Sequence, residues 1–267
     1  MKKVLKTVLA LVLVVVLLLS CTACKKSDLQ FVKNKGTLNV GITLYYPMDY
    51  FADDGETIVG FDAEMARLVA KELGVNVSFV LIKWGSKILE LNSGTIDCIW
   101  NGMTVTEELQ ENLTLSSSYA ENQQVAVVKK SNASRINSVE TVKNASIAAE
   151  SESKGESVAK ETLKASKVVS VASQNAALME VVSGASECCI IDLTMAAGLV
   201  GKGDFADLVI VDPEVVSFEY EEFAIGFRKG SDLADEVNKI LKKLYADGTM
   251  QKVADGYPGL IKLLEIK

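Results

Sequence analysis

The chain has 267 residues, with 28 Lys and Arg against 35 Asp and Glu for a net charge of −7, and it contains no histidine. Without imidazole, Ser-His-Asp and Cys-His catalysis and the usual zinc sites are excluded; without a basic stripe, nucleic acid is not expected as a partner. The length suits two domains of ordinary size or one large one, with ample chain to bury a core.

At the N-terminus, Lys2, Lys3 and Lys6 precede an apolar run from Val8 to Leu19, and Ser20-Cys21 follows at once. A basic start, a short apolar stretch and a small residue read as a secretory signal over residues 1–20, the stretch being short of the ~20 residues that span a bilayer. Leu18-Leu19-Ser20-Cys21 resembles a bacterial lipobox, whose Cys is acylated and becomes the new N-terminus. Cys24 is the alternative lipidation site, although Cys21 then stands where the motif wants an aliphatic residue. A cleaved signal without lipid and an uncleaved anchor are the other readings. Each places the working domain outside the cytoplasmic membrane. Without Lys2, Lys3 and Lys6, the 28 basic residues fall to 25 against 35 acidic ones, a net charge of −10. Such an acidic body suits a protein that stays dispersed near a membrane. Residues 21–35 read as a polar, flexible tether.

Alternating strand and helix patterns then begin. Thr37–Ile42 reads as a strand. Gly60–Leu73 reads as a helix with Asp62 as a plausible N-cap, an apolar face of Met65, Leu68, Val69 and Leu73, and a stop at Gly74. Val75–Ile82 is a strand, Ser86–Asn92 a short helix ended by Gly94, and Ile96–Asn101 an apolar strand of the kind covered on both faces. From about Asn132 a second block repeats the alternation. Its strands are Ser146–Ala149, Lys167–Val171, Cys188–Ile191 and Leu208–Val211; its helices are Gly155–Ala165 and Asn175–Val182. Phe223–Arg228 returns as a strand. Ser231 caps a long amphipathic helix through about Ala246, with Leu233, Val237, Ile240, Leu241 and Leu244 inward.

The stretch Ser93-Gly94-Thr95-Ile96-Asp97-Cys98-Ile99-Trp100-Asn101-Gly102-Met103-Thr104 is echoed by Ser183-Gly184-Ala185-Ser186-Glu187-Cys188-Cys189-Ile190-Ile191-Asp192-Leu193-Thr194. Both run helix, glycine stop, acidic residue, buried strand, polar loop. The expected fold is therefore α/β, with two similar lobes facing one another across a cleft. Ligands in such sheets sit beyond the carboxyl ends of the strands. Val125–Lys130 and Ser217–Glu222 are the candidate crossovers, and two connections limit relative motion to a hinge. The boundaries are 36–127 and 222–267 for the first lobe and 128–221 for the second. Cys98, Cys188 and Cys189 read as buried thiols, since adjacent strand residues face opposite ways and do not bridge easily.

Several short motifs fall in a specific order. They are Leu38-Asn39-Val40-Gly41, Tyr46-Pro47, Val59-Gly60-Phe61-Asp62, Gly94-Thr95-Ile96-Asp97 and Asn101-Gly102-Met103-Thr104-Val105-Thr106. Tyr119, Gln124-Val125, Ile190-Ile191-Asp192, Arg228-Lys229-Gly230-Ser231 and Ala246-Asp247-Gly248-Thr249 follow. Over about Gly36 to Tyr257 the chain resembles the extracellular solute-binding proteins of the type II periplasmic-binding-protein fold, the amino-acid group of ABC importers (family 3). The resemblance implies a lipid-anchored monomer that captures a small solute, most simply an amino acid, by hinge closure. It then delivers the solute to an ABC permease and performs no chemistry. No catalytic residue, metal or cofactor is implied.

The resemblance also marks candidate ligand-binding residues. Tyr46 packs against the solute in the family, or else is a core or turn residue beside Pro47. Thr43 stands where relatives often have Asp. Trp84 stacks on a ligand or packs on the following helix. Asn101, Gly102 and Thr104 lie on the polar loop after a buried strand, to receive an ammonium or to shape a turn. Ser153 and Lys154, with Gly155, open a helix whose free N–H groups attract carboxylate. Asp192 matches the Asp that pairs with the solute α-ammonium, or else it caps the next helix. Glu150 and Glu222 are further candidates to line the cleft.

One departure stands out. Most relatives carry an Arg beyond the Thr of the Gly-Met-Thr motif, which clamps the solute carboxylate with two bonds. Here Leu109 holds that place, and the three Arg are Arg67, Arg135 and Arg228. The loss amounts to ~1.5–3 kcal/mol unless something replaces it. Either Ser153, Lys154 and backbone amides hold the carboxylate, or the solute is an amine without one. The alternative from another class is a secreted enzyme on the same fold, with Glu150 or Glu222 as general acid.

Overall fold

A computed structural model describes residues 27–257, 259 and 261–266. Cys21, Cys24 and the expected leader lie outside the described residues. The described residues open with a helix, α1 (Asp28–Lys35), where the last part of the expected tether falls. Ser27 caps it, accepting from Gln30 N. Val32 is fully buried beneath it. Charged ends fix it to the body: Arg228 Nε donates to Asp28 at 2.9 Å, and Lys35 Nζ meets the buried Asp97 carboxylate at 2.5 Å. These ion pairs and the buried Val32 make the segment part of the fold, which its polar composition concealed.

Strand β1 (Thr37–Ile42) follows, then the short strands β2 (Tyr50–Phe51) and β3 (Ile58–Val59), which pair with each other. Helix α2 (Phe61–Leu73) buries Ala63, Met65, Ala66, Val69, Ala70 and Leu73, and ends at Gly74 in the left-handed conformation. Its cap is Gly60, not Asp62. At φ 125° and with a would-be Cβ 2.3 Å from Met48 O, only glycine fits there. Asp62 is already inside the helix, and its carboxylate turns inward. Strand β4 (Asn76–Leu81), helix α3 (Lys87–Ser93), strand β5 (Cys98–Ile99), helix α4 (Glu107–Asn112) and strand β6 (Leu113–Leu115) complete this stretch. The first sheet runs β4-β1-β5 in parallel. Strand β1 shows Leu38, Val40 and Ile42 buried, because helices cover the sheet.

The second sheet begins with the long strand β7 (Ala120–Lys129). Helix α5 (Val139–Lys143) and β8 (Ile147–Glu150) follow. The expected helix at 155–165 is one α-turn, α6 (Lys154–Ser157), running into a π-helical turn over Val158–Thr162. Next come β9 (Val168–Val171), α7 (Gln174–Ser183), β10 (Cys188–Asp192), α8 (Leu193–Leu199) and β11 (Leu208–Ile210). The order is β11-β7-β10-β8-β9. Strands β10 and β8 lie parallel as neighbours, and every residue of β10 is buried. Cys98, Cys188 and Cys189 are all buried and unpaired.

The chain then returns. Strand β12 (Tyr220–Phe223) pairs antiparallel with the start of β7, from Tyr220 against Gln123 to Phe223 against Ala120. A two-residue break at Ala224 and Ile225 separates it from β13 (Gly226–Arg228), which joins β5 and β6 in the first sheet. One expected strand is thus two, serving different places. Helix α9 (Leu233–Ala246) buries the expected face. Its N-cap is Asp232 rather than Ser231, and the Asp232 carboxylate accepts from Ser27 and Leu29 N instead of capping. Helix α10 (Thr249–Ala254) and strand β14 (Lys262–Leu263), paired with Ala120 and Glu121 of β7, end the fold. The result is two α/β lobes linked by the antiparallel strands β7 and β12.

Candidate ligand-binding cleft

A cleft of about 710 Å³ opens between the carboxyl ends of the two sheets. On the first lobe, the loop after β5 is locked to the loop after β1. Thr43 N and Oγ1 both donate to Asn101 Oδ1, at 2.9 and 2.7 Å. Asn101 Nδ2 donates to Thr43 O and to the buried Asp49. Gly102 follows with φ 54°, and a Cβ there would stand 2.5 Å from the Tyr45 ring. Its amide donates to Asp62 Oδ2 at 2.7 Å, as does the Tyr119 hydroxyl at 2.9 Å. Burial pushes the Asp62 carboxyl up to about 7, against those two donors.

On the second lobe, β8 and β10 each end in an acid. Asp192, the last residue of β10, is buried and accepts from Asn122, Gln124 and Gln174 side-chain amides. Burial raises its pKa and the three amides oppose the rise. It stands at the N-cap of α8, yet its side chain makes no capping bond and lines the cleft. Behind it, Glu221 accepts from Thr104 Oγ1, Asn122 and Gln124. Burial and the Asp192 charge push Glu221 up to about 7. Glu150 ends β8 with 4% of its surface exposed, and its Oε1 has no hydrogen-bond donor. Burial and Asp192 push it up to about 8, with Lys87 pulling the other way. Ser153 caps α6, accepting from Glu156 N at 3.2 Å.

Contacts cross the cleft. Lys87 is 7% exposed, unusual for lysine. Its Nζ donates to Trp84 O at 3.3 Å and, from the other lobe, to Glu152 O at 3.2 Å, while lying 4.7 Å from the Trp84 ring centre. Burial lowers its pKa. Glu152 itself sits at φ 60°, a conformation rare outside glycine. Tyr45 brings its hydroxyl beside Asp192, without a hydrogen bond of good geometry. Tyr46 reaches the second lobe elsewhere: its ring lies against Gly198 of α8 and packs on Tyr50 at 4.9 Å.

The structure therefore brings Thr43, Trp84, Asn101, Gly102, Thr104, Ser153, Lys154 and Asp192 to the cleft wall, together with Leu109. Tyr46 is not among the lining residues; its neighbour Tyr45 is. Consecutive residues of an extended turn face opposite ways, and Tyr45 is held inward by its bridge to Asp49. Glu222 is exposed, whereas Glu221 is buried, by the same alternation along β12. Glu150 lines the cleft as expected of it. Lys87 and Gln174 are not among the expected site residues, and Gln124 enters only as part of the Gln124-Val125 motif, not as a binding residue. Glutamines distant in sequence from an expected binding Asp carry little signal alone, and Lys87 reads as an ordinary helix lysine.

Known proteins share this architecture. The sequence profile of the bacterial extracellular solute-binding proteins, family 3, matches residues 38–259. The L-cystine-binding protein TcyJ of Escherichia coli is 28% identical, over 85% of each chain. The arginine-binding extracellular protein ArtP of Bacillus subtilis is 29% identical, over 87% of this chain and 90% of its own. Among solved structures, an ABC uptake transporter substrate-binding protein of Streptococcus pneumoniae with bound histidine superposes with a TM-score of 0.80 and 28% identity. It spans 88% of this chain and 97% of that one. A two-lobed α/β architecture, a cleft at the strand ends and a profile match over nearly the whole described chain agree: the protein belongs to the bacterial extracellular solute-binding proteins of family 3.

Proposed function

We propose that this protein captures an amino acid or a related amine outside the cytoplasmic membrane by closing its lobes, and hands it to the permease of an ABC importer. The observation that carries the reading is the cleft itself. Two lobes linked by strands β7 and β12 enclose buried polar groups at the strand ends, and contacts such as Lys87 to Glu152 cross from one lobe to the other. A solute that touches both lobes stabilises the arrangement in which they meet. Relatives named for cystine and arginine support an amino-acid-like solute. The hinge then divides the chain into 36–127 with 222–267, and 128–221. Asp192 takes the solute ammonium, Gly102 and Thr104 frame it, and Trp84 covers it. The anchor is Cys21, with Cys24 as the alternative.

Leu109 on the cleft wall favours a second reading, in which the solute is an amine lacking an α-carboxylate. A raised Glu150 pKa is what a catalytic acid would need, so the enzyme alternative turns on whether the solute is altered. Calorimetric titration of the purified protein with amino acids and amines tests all three. One solute bound per chain and recovered unchanged supports capture; conversion would establish an enzyme. Labelling with a fatty-acid probe, in Cys21→Ala and Cys24→Ala variants, tests the anchor.

A further inference from the structure

Glu150 has no structural employment that the fold explains. Among the described residues the other buried cleft and core carboxylates, Asp49, Asp62, Asp97, Asp192 and Glu221, each accept at least one hydrogen bond, although all but Asp192 also leave one oxygen without a donor. Asp97 receives Lys35 Nζ and Asn39 N, at 2.5 and 2.7 Å. Asp192 receives three amides, and Glu221 receives a hydroxyl and two amides. Glu150 differs in that its carboxyl group accepts no hydrogen bond at all among the described residues, with Oε1 fully buried in the cleft wall. A buried acceptor left without a donor is costly, and a polar atom aimed into a ligand cleft is the common reason for retaining one.

The surroundings say what kind of donor would fit. Glu150 ends β8 and Asp192 ends the neighbouring strand β10; both line the cleft, and the Asp192 charge is close enough to act on Glu150. Among the described residues, no Lys or Arg nitrogen lies within ion-pair distance of Glu150, Asp192 or Glu221. The wall as a whole carries seven carboxylates against three lysines. Of those lysines, Lys160 is paired with Glu156 at 2.7 Å, and Lys87 donates to backbone carbonyls. The deficit is one of positive charge.

Resting on the solute-capture reading above, we propose that Glu150 is a second cation-binding carboxylate in this cleft, so that the solute carries two basic nitrogens, one met by Asp192 and the other by Glu150. The charged groups facing Glu150 are Asp192 and Lys87, with Glu221 and the Tyr45 hydroxyl behind Asp192. Burial and mutual repulsion keep protons on this cluster near neutral pH. A dicationic solute supplies the missing charge, and the carboxyl groups then ionise and release protons on binding.

The test uses probes matched in length, titrated calorimetrically at pH 7 in two buffers of different ionisation heat. Lysine and putrescine carry two basic nitrogens; norleucine and butylamine carry one. The inference expects a preference of about tenfold or more for a two-nitrogen probe over its partner, with net proton release. It also expects Glu150→Gln to cut both the preference and the release. Lysine and putrescine separate a solute with an α-carboxylate from one without. Equal affinity within a pair, or binding without proton release, overturns the inference and leaves solute capture standing. Binding of none of the four overturns the inference, while the wider titration with amino acids and amines decides solute capture separately. The wild-type protein alone reads both preference and proton release, so the test holds even if the variant fails to fold.

Discussion

Replacing Gly198 with alanine is expected to weaken solute binding while leaving the unliganded protein at least as stable. A Cβ at Gly198 of α8 would stand 2.4 and 2.6 Å from the Tyr46 Cε1 and Cδ1 atoms, on the opposite lobe. Ordinary contact is about 3.5–4 Å, so the lobes must separate or the ring must tilt by roughly an ångström. Overpacking of this kind costs ~1–3 kcal/mol. Tyr46 can lean on Tyr50, 4.9 Å away, which favours the lower part of that range. At ~1–2 kcal/mol the affinity falls about five- to thirtyfold. The penalty applies only when the lobes meet. In the separated state the variant gains helix propensity, up to ~1 kcal/mol for glycine to alanine. Titration calorimetry and thermal melting without solute read the two effects, which have opposite signs. Tyr46→Ala in the same chain should restore affinity, because it removes the ring that clashes. An unchanged affinity, or a melting temperature that falls along with it, would refute Tyr46–Gly198 as a contact specific to the closed lobes.

Other expectations follow from the buried acids. Glu150 and Glu221, pushed up to about 8 and about 7, and Asp62, at about 7, hold protons in the folded state that the unfolded chain has already lost. Stability of the solute-free protein should therefore fall as pH rises from about 4.5 through 8; a melting temperature higher at pH 8.5 than at pH 5.5 would contradict this. Asp97→Ala should destabilise by about 2–4 kcal/mol, since it strands Lys35 and the Asn39 amide and removes one of the two carboxylates beside Arg228, 3.7 Å away. Chemical denaturation checks that figure, and a loss under 1 kcal/mol would show the ion pairs to be dispensable. Gly102→Ala, with a Cβ 2.5 Å from the Tyr45 ring and φ 54°, should cost about 1–3 kcal/mol by the same measurement.

The fold was legible where periodicity was strong. Thr37–Ile42 appears with the expected bounds, and the inward face of α9 carries the expected leucines. Gly74, Gly94 and Gly184 all end helices in the left-handed conformation, as their positions suggested. The paired motif of glycine stop and buried strand located both acids and loops at the cleft. Where reading failed, a parity or a long-range contact was involved. Tyr45 against Tyr46, and Glu221 against Glu222, differ by one residue, which reverses the direction of a side chain in extended backbone. Asp62 has the composition of a cap, yet Gly102 N and Tyr119 Oη, both distant in sequence, draw it inward. Helix α1 looked like a linker because its fixing partners, Asp97, Arg228 and Asp232, come much later in the chain. Lys87 is hidden for the same reason, since its partner Glu152 O belongs to the other lobe.

Capture without chemistry is decided by saturating the protein with the solute that binds, denaturing the complex and identifying what is released. One molecule of chemically unchanged amino acid or amine per chain, with Asp192→Asn abolishing its retention, is the predicted result. A converted product, or full retention by the Asp192 variant, would contradict it.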